Sequence, residues 1–379
     1  MSIRESRVLA ALFLLLLGLA SSGCVEQPAS PADEDSSQGL VSTPSLWREV
    51  REPVRDVGLP RKVLIGTVIH PFWTKPDTDE EILAIVAHLV DETSRRASAD
   101  YPGRSLDLVV LPEGAVCRSG SHAAETSLPL AGPVADTIGS KAREHSTYIL
   151  LPMFLEEDRA DGEYSNASVL FDRSGDIVGI YRKVHPVASL GSDLLEGGVR
   201  PGTDYPVFEC DFGRVGVQVC WDLSYEEGWR ELARKGAEIV ALPSESPQLA
   251  KPAYYASRGR YYVVSATPRN NASIFNPAGM VEAQITEPGA LVHEIDLASL
   301  VLPWSGPLRN GAGLKERFGD RIGFHYYESE DAGIFWSNDP TTSVSEMVKE
   351  LGLVEFDWRI KRTEVLQKAA RAQPGEGTH

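Results

Sequence analysis

From residue 61 onward, short apolar runs alternate with longer segments that carry apolar residues at helical spacing. The short runs predict buried strands, and the longer segments predict amphipathic helices. The predicted strands are 63–69, 106–111, 148–155, 167–171, 177–182, 215–220, 239–242, 261–266, 273–275, 281–285 and 290–295. The predicted helices between them are 79–99, 134–145 and 225–235. This alternation indicates an α/β body.

Two turns in this pattern predict hairpins. The turn 172–175 joins the strands 167–171 and 177–182, and the turn 276–279 joins a later pair. Hairpins among strand-helix units predict a mixed sheet with helices on one face, not a purely parallel one.

Two serines stand three residues before a glutamate, which is the spacing of a helix capping box. Ser224 with Glu227 predicts the start of a helix shortly after the strand 215–220. Ser343 with Glu346 predicts a further helix near the C-terminus, where the pattern is otherwise weak.

The composition indicates a folded chain without a nucleic-acid partner. The 379 residues are 42% hydrophobic, enough to bury one large core or two ordinary ones. The formal net charge is −17, whereas proteins that bind a phosphate backbone draw affinity from clustered Lys and Arg. The negative net charge therefore argues against a nucleic-acid binding partner.

The first residues have the organisation of an export signal. Arg4 and Arg7 precede an apolar run, residues 8–20. This run is too short to span a bilayer comfortably. The run leads into Ser21-Ser22-Gly23-Cys24, which resembles the lipobox where bacteria cleave a signal peptide and lipidate the cysteine. We therefore expect an exported lipoprotein, anchored to the membrane through Cys24 on the periplasmic or cell-surface side. There are two alternatives: secretion without lipidation after cleavage near the same residues, and a buried N-terminal helix.

Residues 25–45 are polar and rich in Pro and Ser, which is the composition of a tether. A lipoprotein requires a tether between its lipidated cysteine and its folded body, so the two features support each other. The expected organisation is a signal peptide 1–23, a tether and lead-in 24–60, a body 61–302 and an extension 303–379 packed on the body.

Three cysteines remain beyond Cys24, namely Cys117, Cys210 and Cys220. An odd number leaves at least one thiol unpaired in an oxidising compartment. A disulfide between Cys210 and Cys220 is left open by the spacing.

Three residues with catalytic potential lie at the ends of predicted strands: Glu113, Lys183 and Cys220. Active sites of open α/β sheets lie along the carboxyl edge of the strands. The helix after Cys220 can stabilise a thiolate through its N-terminal amides. Taken singly, each residue is better explained without catalysis: Glu113 as a solvated acid, Lys183 as a surface lysine and Cys220 as an inert buried cysteine.

Three motifs occur in a fixed order along the chain. They are Leu111-Pro112-Glu113, Tyr181-Arg182-Lys183-Val184-His185 and Gly216-Val217-Gln218-Val219-Cys220-Trp221-Asp222. Together they resemble the Glu, Lys and Cys motifs of the nitrilase superfamily, the carbon-nitrogen hydrolases, and the likeness covers about 62–297. The resemblance implies an α/β fold of the four-layer α-β-β-α sandwich type and a homodimer or higher homo-oligomer.

The resemblance also implies a mechanism. Cys220 attacks the carbonyl of an amide, Glu113 accepts the thiol proton and later activates water, and Lys183 stabilises the oxyanion. A second family glutamate, which positions the substrate and the lysine, matches Glu196, with Asp193 as the weaker candidate. The two carboxylates keep Lys183 charged, and Lys183 keeps Glu113 ionised.

The residues after the cysteine bear on the substrate. Nitrile-cleaving members typically carry Trp-Glu there, whereas amidases commonly have an aspartate at the position of Asp222, so an amide is expected. Trp221 and Tyr225 are expected to line the substrate pocket, with core packing as the alternative. The stretch 255–259 departs from the family's Arg-Ala-x-Glu-Asn pattern, which affects the pocket wall and dimer packing but not the nucleophile.

Two other readings of the chain remain open: a solute-binding lipoprotein without chemistry, and a relative that binds substrate but has lost turnover. The solute-binding lipoprotein gives no reason for three reactive side chains at three strand ends, and labelling of the thiols with iodoacetamide distinguishes an active site from both alternatives. We expect a small-molecule amide as the substrate. We expect neither a cofactor nor a metal, because the His, Cys and Asp residues lack ligand-type spacing.

Overall fold

The computed structural model describes residues 47–72 and 76–372 of the chain. The predicted signal peptide, Cys24 and the tether 25–45 lie outside the described residues. Within the described ranges, no helix is both long and apolar enough to cross a membrane.

The strands follow the apolar runs of the sequence. The first eight are β1 (Lys62–Ile69), β2 (Leu108–Val110), β3 (Leu128–Pro129), β4 (Tyr148–Asp158), β5 (Glu163–Phe171), β6 (Ile177–Arg182), β7 (Val207–Cys210) and β8 (Gly213–Val217). The later ones are β9 (Ile239–Pro243), β10 (Tyr262–Ala266), β11 (Ala272–Phe275), β12 (Val281–Ile285), β13 (Gly289–Asp296), β14 (Ser299–Pro303), β15 (Ile322–Tyr327) and β16 (Ala332–Ser337).

The helices occupy the predicted amphipathic segments, two further segments of the body, and parts of the C-terminal extension. They are α1 (Asp79–Asp100), α2 (Ala123–Thr126), α3 (Pro133–His145), α4 (Glu226–Arg234), α5 (Ala250–Gly259), α6 (Ala312–Phe318), α7 (Val344–Glu350) and α8 (Phe356–Ala372). The sequence pattern did not predict the two body helices α2 and α5.

The strands form two large sheets and a small one. The first sheet has the order β13-β1-β2-β4-β5-β6, with β3 also paired to β4. The second has the order β12-β11-β10-β9-β8-β7, and the small sheet has the order β14-β16-β15. In the first sheet β1 and β2 are parallel whereas β4 and β5 are antiparallel. In the second sheet β9 and β10 are parallel whereas β10 and β11 are antiparallel, so both large sheets are mixed, as the hairpins predict.

Alternating burial along the strands produces four layers. Val63 and Ile65 of β1 belong to the core between the two large sheets, while Leu64 and Val68 belong to the core under α1 and α3. On the far side, α4 packs directly on β8, since a Cβ atom placed on Gly216 would lie 2.8 Å from the Leu232 side chain. The order of layers is helices, first sheet, second sheet, helices, which is the expected α-β-β-α sandwich.

The small sheet has a core of its own that includes part of the N-terminal lead-in. Val54 packs in one cluster with Leu300 of β14 and Phe335 of β16. Arg55 Nε donates to Glu355 Oε2 at 2.8 Å, which fixes the lead-in to the segment before α8. The described residues form one compact unit.

The two predicted capping boxes differ in outcome. Ser343 Oγ accepts a hydrogen bond from Glu346 N at 3.1 Å, so the box at α7 forms. The box predicted at Ser224 does not form, because Ser224 ends a separate 3-10 turn, Cys220–Ser224. The helix α4 then begins after Tyr225 without a side-chain cap.

Candidate active site

The ends of two strands of the first sheet bring a carboxylate and an ammonium group together. Glu113 lies three residues after the end of β2. The backbone between them still follows the sheet at Leu111, whose N–H donates to Leu150 O of β4 at 3.4 Å. Lys183 directly follows β6 and continues its ladder, with Lys183 N donating to Asn166 O at 2.8 Å. Both side chains are buried.

Cys220 comes from the second sheet, but it does not end a strand as the pattern predicts. The strand β8 ends at Val217, and Cys220 opens a 3-10 turn with a left-handed φ of 42°. Left-handed backbone at a residue other than glycine is strained and is typical of functional sites. The turn directs the thiol toward Glu113 and Lys183, whose charges both act on it.

Lys183 lies between two carboxylates. Its Nζ donates to Glu113 Oε1 at 2.8 Å and to Glu196 Oε1 at 2.6 Å, and only 1% of its side chain is exposed. Burial alone would lower the pKa of Lys183, but the negative charges of Glu113 and Glu196 outweigh it and raise that pKa. The ammonium therefore stays charged at neutral pH.

The second glutamate of the site is Glu196. Its Oε1 also accepts from Val187 N at 3.0 Å, and its backbone has a left-handed φ of 41°. Asp193, the weaker candidate from the sequence, is exposed in the same loop. The structure thus brings Glu196, and not Asp193, to Lys183.

Asn166 of β5 joins the two carboxylates and is a residue that the sequence reasoning missed. Its Nδ2 donates to Glu113 Oε1 at 2.9 Å and to Glu196 Oε2 at 2.8 Å. Both amide hydrogens are thereby used, which fixes the orientation of the side chain. The available signal was a run of polar residues in a buried strand, Ser165, Asn166 and Ser168.

The turn after β9 supplies two further contacts that the sequence did not reveal. Glu245 N donates to Glu113 Oε2 at 3.0 Å. Ser244 and the backbone amide of Glu245 also act to lower the pKa of Cys220, so the turn after β9 borders both the carboxylate and the thiol.

The thiol of Cys220 is protonated at rest. Burial, followed by the negative charge of Glu113, raises its pKa to about 12, against the opposing effects of Lys183, Ser244 and the Glu245 amide. The expectation that a following helix stabilises a thiolate is therefore wrong. The residues after the cysteine form a short 3-10 turn, and burial dominates. A thiol of this kind requires a base, and Glu113 is the adjacent one.

Asp222 fixes the turn that carries Cys220. Its carboxylate is fully buried and accepts from Val219 N at 2.8 Å, from Tyr181 Oη at 2.7 Å and from His185 N at 3.0 Å. One carboxylate therefore holds the residues on either side of Lys183 against the cysteine turn.

The two aromatic residues expected in the pocket lie at the surface beside the site. Trp221 and Tyr225 are each 43% exposed, so core packing does not describe either of them. Tyr225 stacks on His185 with ring centroids 3.8 Å apart. A cavity of about 510 Å³ opens beside Glu196 and Glu245, and its described lining includes neither aromatic residue.

Cys210 and Cys220 are both free thiols, so the disulfide left open by the spacing does not form.

One group of possible metal ligands, Asp91 and Glu144 with His145, occurs in the described part of the chain. Lys141 Nζ already lies between the two carboxylates, 2.8 Å from Asp91 and 2.9 Å from Glu144, so a lysine ammonium occupies the place of a cation.

Known proteins are similar to the body of this chain. The family model described as carbon-nitrogen hydrolase matches residues 71–302. A probable nitrilase of Schizosaccharomyces pombe is 29% identical over 150 residues, which are 38% of this chain and 53% of that protein. The deaminated glutathione amidase of Mus musculus is 27% identical over 253 residues, 59% of this chain and 76% of that protein. The chain thus spans about half of the first relative and three quarters of the second.

A solved structure establishes the same fold. The carbon-nitrogen hydrolase of Helicobacter pylori G27 superposes with a TM-score of 0.53 at 21% identity, covering 62% of this chain and 90% of that one. The four-layer arrangement described above is therefore shared with known structures, as the motifs in the sequence imply.

Proposed function

The chain belongs to the carbon-nitrogen hydrolase family, and from this we propose that it cleaves a linear amide through a thioester on Cys220, releasing an acid and ammonia or an amine. The observation that carries the proposal is a buried ammonium held between Glu113 and Glu196 beside the partly buried thiol of Cys220. An ion pair of this kind is costly to bury. The cost of burying this ion pair is explained if the fixed ammonium stabilises the oxyanion that forms at an amide carbonyl.

The first step forms the carbon-sulfur bond. Glu113 accepts the proton of the Cys220 thiol while the sulfur attacks the amide carbonyl carbon, and the C=O electron pair moves onto the oxygen. Three of the four acceptor positions of the Glu113 carboxylate are occupied, by Lys183, Asn166 and the Glu245 amide. The fourth is left for the thiol proton.

Lys183 stabilises the oxyanion that this attack creates. An ammonium group has three N–H donors, and two of them are directed to Glu113 and Glu196. The third remains for the substrate oxygen. Because the two carboxylates keep the ammonium charged and fixed, little reorganisation is needed when the oxyanion forms.

The remaining steps return the enzyme to its starting state. When the tetrahedral intermediate collapses, the C–N bond breaks and Glu113 gives its proton to the leaving nitrogen. Glu113 then removes a proton from water, whose oxygen adds to the thioester carbonyl. The C–S bond breaks, the sulfur of Cys220 regains its proton from Glu113, and the acid departs.

An amide substrate is supported by Asp222 and by one relative. Asp222 stands where amidases of the family commonly have aspartate, and the matched mouse protein is named an amidase. Hydrolysis of a nitrile by the same three residues is the alternative. A mass-spectrometric screen of amides, ureas, N-carbamoyl compounds and the matching nitriles tests both. We expect turnover of at least one amide at a higher kcat/KM than its nitrile, and the reverse order would contradict the proposal.

Alkylation with iodoacetamide provides a second test that separates an enzyme from a protein without chemistry. Cys210 also has a pKa raised to about 12 by burial, so it serves as an internal control for Cys220. Substrate should protect Cys220 and leave the alkylation of Cys210 unchanged. Equal effects on both thiols would contradict a substrate site at Cys220.

For the location of the protein, we propose attachment to a bacterial membrane through lipid on Cys24, with the hydrolase domain exposed on the periplasmic or cell-surface side. The support is the short apolar run 8–20 followed by the lipobox-like Ser21-Ser22-Gly23-Cys24. Metabolic labelling with a palmitate analogue tests it. Label should appear in the wild type and be absent from Cys24→Ala, and an unlabelled membrane-free wild type would contradict it.

For assembly, we propose a homodimer or higher homo-oligomer. Large apolar side chains are exposed on α5 and on the adjoining turn, among them Leu249, Tyr254 and Trp221. Lys251 Nζ donates to Ser224 Oγ at 3.3 Å, so these two segments are neighbours. Sedimentation equilibrium should give at least twice the monomer mass for the wild type. Tyr254→Arg should lower the measured mass. The control Leu366→Arg, at an exposed position of α8, should leave the mass unchanged.

A further inference from the structure

A second cavity, of about 190 Å³, lies between the N-terminal lead-in, the body and the start of the small sheet. Its described lining contains none of the residues of the candidate active site. Five arginines line it, namely Arg48, Arg55, Arg61, Arg214 and Arg260. In a chain with a net charge of −17, such a concentration of positive charge requires a physical reason.

Two of these five arginines each form an ion pair with a carboxylate of their own. Arg55 Nε lies 2.8 Å from Glu355 Oε2, and Arg260 Nη2 lies 2.7 Å from Asp357 Oδ1. Arg260 also donates to Pro277 O at 2.7 Å. These pairs join the extension to the lead-in and to the body, and their positive charges are compensated.

The other three arginines share a single carboxylate. Arg61 pairs with Glu238, and Arg214 Nε lies 3.6 Å from the same side chain. Arg48 donates to the backbone oxygen of Ala237. The Nε of Arg48 is buried without a hydrogen-bond partner, so among the described residues this guanidinium has an orphaned donor.

The charge of the cavity is therefore not balanced. The lining contains two carboxylates, Asp56 and Glu238. Its arginines have two more as partners outside it, Glu355 and Asp357, so four carboxylates accompany five guanidinium groups. Burial and the nearby charge of Arg55 lower the pKa of Arg48 to about 10, with Arg214 acting in the same direction. A bound anion would satisfy the orphaned donor and remove the repulsion among the arginines.

We propose that this cavity binds a small tetrahedral oxyanion of the phosphate type. Guanidinium groups present planar pairs of N–H donors that match phosphate oxygens, which makes arginine the common residue at such sites. The volume admits one phosphate group with a few waters and no large organic ligand. Because Arg48 and Arg55 come from the lead-in and Arg214 from β8, the anion would tie the lead-in to the body.

Isothermal titration calorimetry with inorganic phosphate, in chloride buffer at constant ionic strength, tests the proposal. The variants are Arg48→Gln and Arg214→Gln, the latter with a side chain 41% exposed in the wild type. The matched control is Arg159→Gln, whose side chain is 63% exposed and whose carboxylate partner, Glu156, lies in β4. Wild type and control should bind one phosphate with equal Kd. Both cavity variants should bind at least about tenfold more weakly, as expected for a lost charge-assisted hydrogen bond.

Two results would overturn the proposal: no saturable binding of phosphate to the wild type, or the same Kd in all four proteins. If circular dichroism shows that Arg48→Gln does not fold, Arg214→Gln decides the question alone. Glycerol phosphate as a second titrant distinguishes the source of the anion. Tighter binding than free phosphate indicates a phosphate ester, and weaker binding indicates the inorganic ion.

Discussion

The hydroxyl group of Tyr181 donates a 2.7 Å hydrogen bond to the buried carboxylate of Asp222. Tyr181 lies two residues before Lys183, and Asp222 lies two residues after Cys220. This hydrogen bond therefore ties the strand that presents the ammonium to the turn that presents the thiol. The two groups come from different sheets, so their relative position depends on a contact of this kind.

Asp222→Asn tests that dependence. An amide cannot accept from all the donors that face the carboxylate, so one buried N–H is left unpaired and the turn shifts. We expect kcat/KM to fall by about tenfold to a hundredfold, as for small displacements of catalytic groups. The free energy of unfolding in urea should fall by about 1–3 kcal/mol. Asp320→Asn, at a fully exposed position, is the control, and equal kinetics in the two variants would show that Asp222 does not position the site.

Asn166→Asp tests the bridge between the two glutamates. The change replaces a donor to both carboxylates by a third negative charge, which disfavours ionisation of the neighbouring carboxyl groups. The acidic limb of kcat/KM against pH should move upward by roughly one pH unit. Asn338→Asp adds the same charge at an exposed position. Superimposable pH profiles for the two variants would contradict the bridging role.

Glu196→Gln and Asp193→Asn form a matched pair in one loop. Of these two residues, only Glu196 contacts the Lys183 ammonium, at 2.6 Å. Neutralising Glu196 should therefore lower kcat by about tenfold or more through loss of alignment at Lys183. Asp193→Asn should have wild-type kinetics because its side chain is exposed. A larger loss in Asp193→Asn would reverse the assignment of the second glutamate.

The thiol of Cys220 offers a test with a definite sign. Its pKa is raised to about 12, so the rate of alkylation by iodoacetamide should keep increasing with pH across the alkaline range. Glu113→Gln removes a negative charge that raises this pKa, and the rate profile should move to lower pH. Lys183→Ala should move it to higher pH and lower kcat by at least about a hundredfold, as for loss of an oxyanion donor. Shifts in the opposite directions would contradict the assigned charges.

The layered fold and the convergence of three side chains could be anticipated from the sequence. The strand β1 and the helix α1 are where the apolar pattern predicts them, because β1 is buried along nearly its whole length and α1 buries one face at helical spacing. The order of the Glu, Lys and Cys motifs resembles a known family, and the resemblance implies the sandwich. The family match over 71–302 confirms that resemblance.

The supporting contacts of the site could not be anticipated in the same way. Asn166 reaches Glu113 only because of the register between β5 and its neighbours, and no local spacing encodes that distance. Glu245 acts through a backbone amide, which every residue possesses. The raised pKa of Cys220 depends on burial and on the nearby charge of Glu113, both properties of the assembled fold.

The central claim is that Cys220 is the nucleophile of an amide hydrolase. The most direct test is the release of acid and ammonia or amine from an amide that the wild type turns over, measured with Cys220→Ala and, as a control, Cys210→Ala. The account predicts no turnover by Cys220→Ala and wild-type turnover by Cys210→Ala. Full activity of folded Cys220→Ala on the same amide would contradict it.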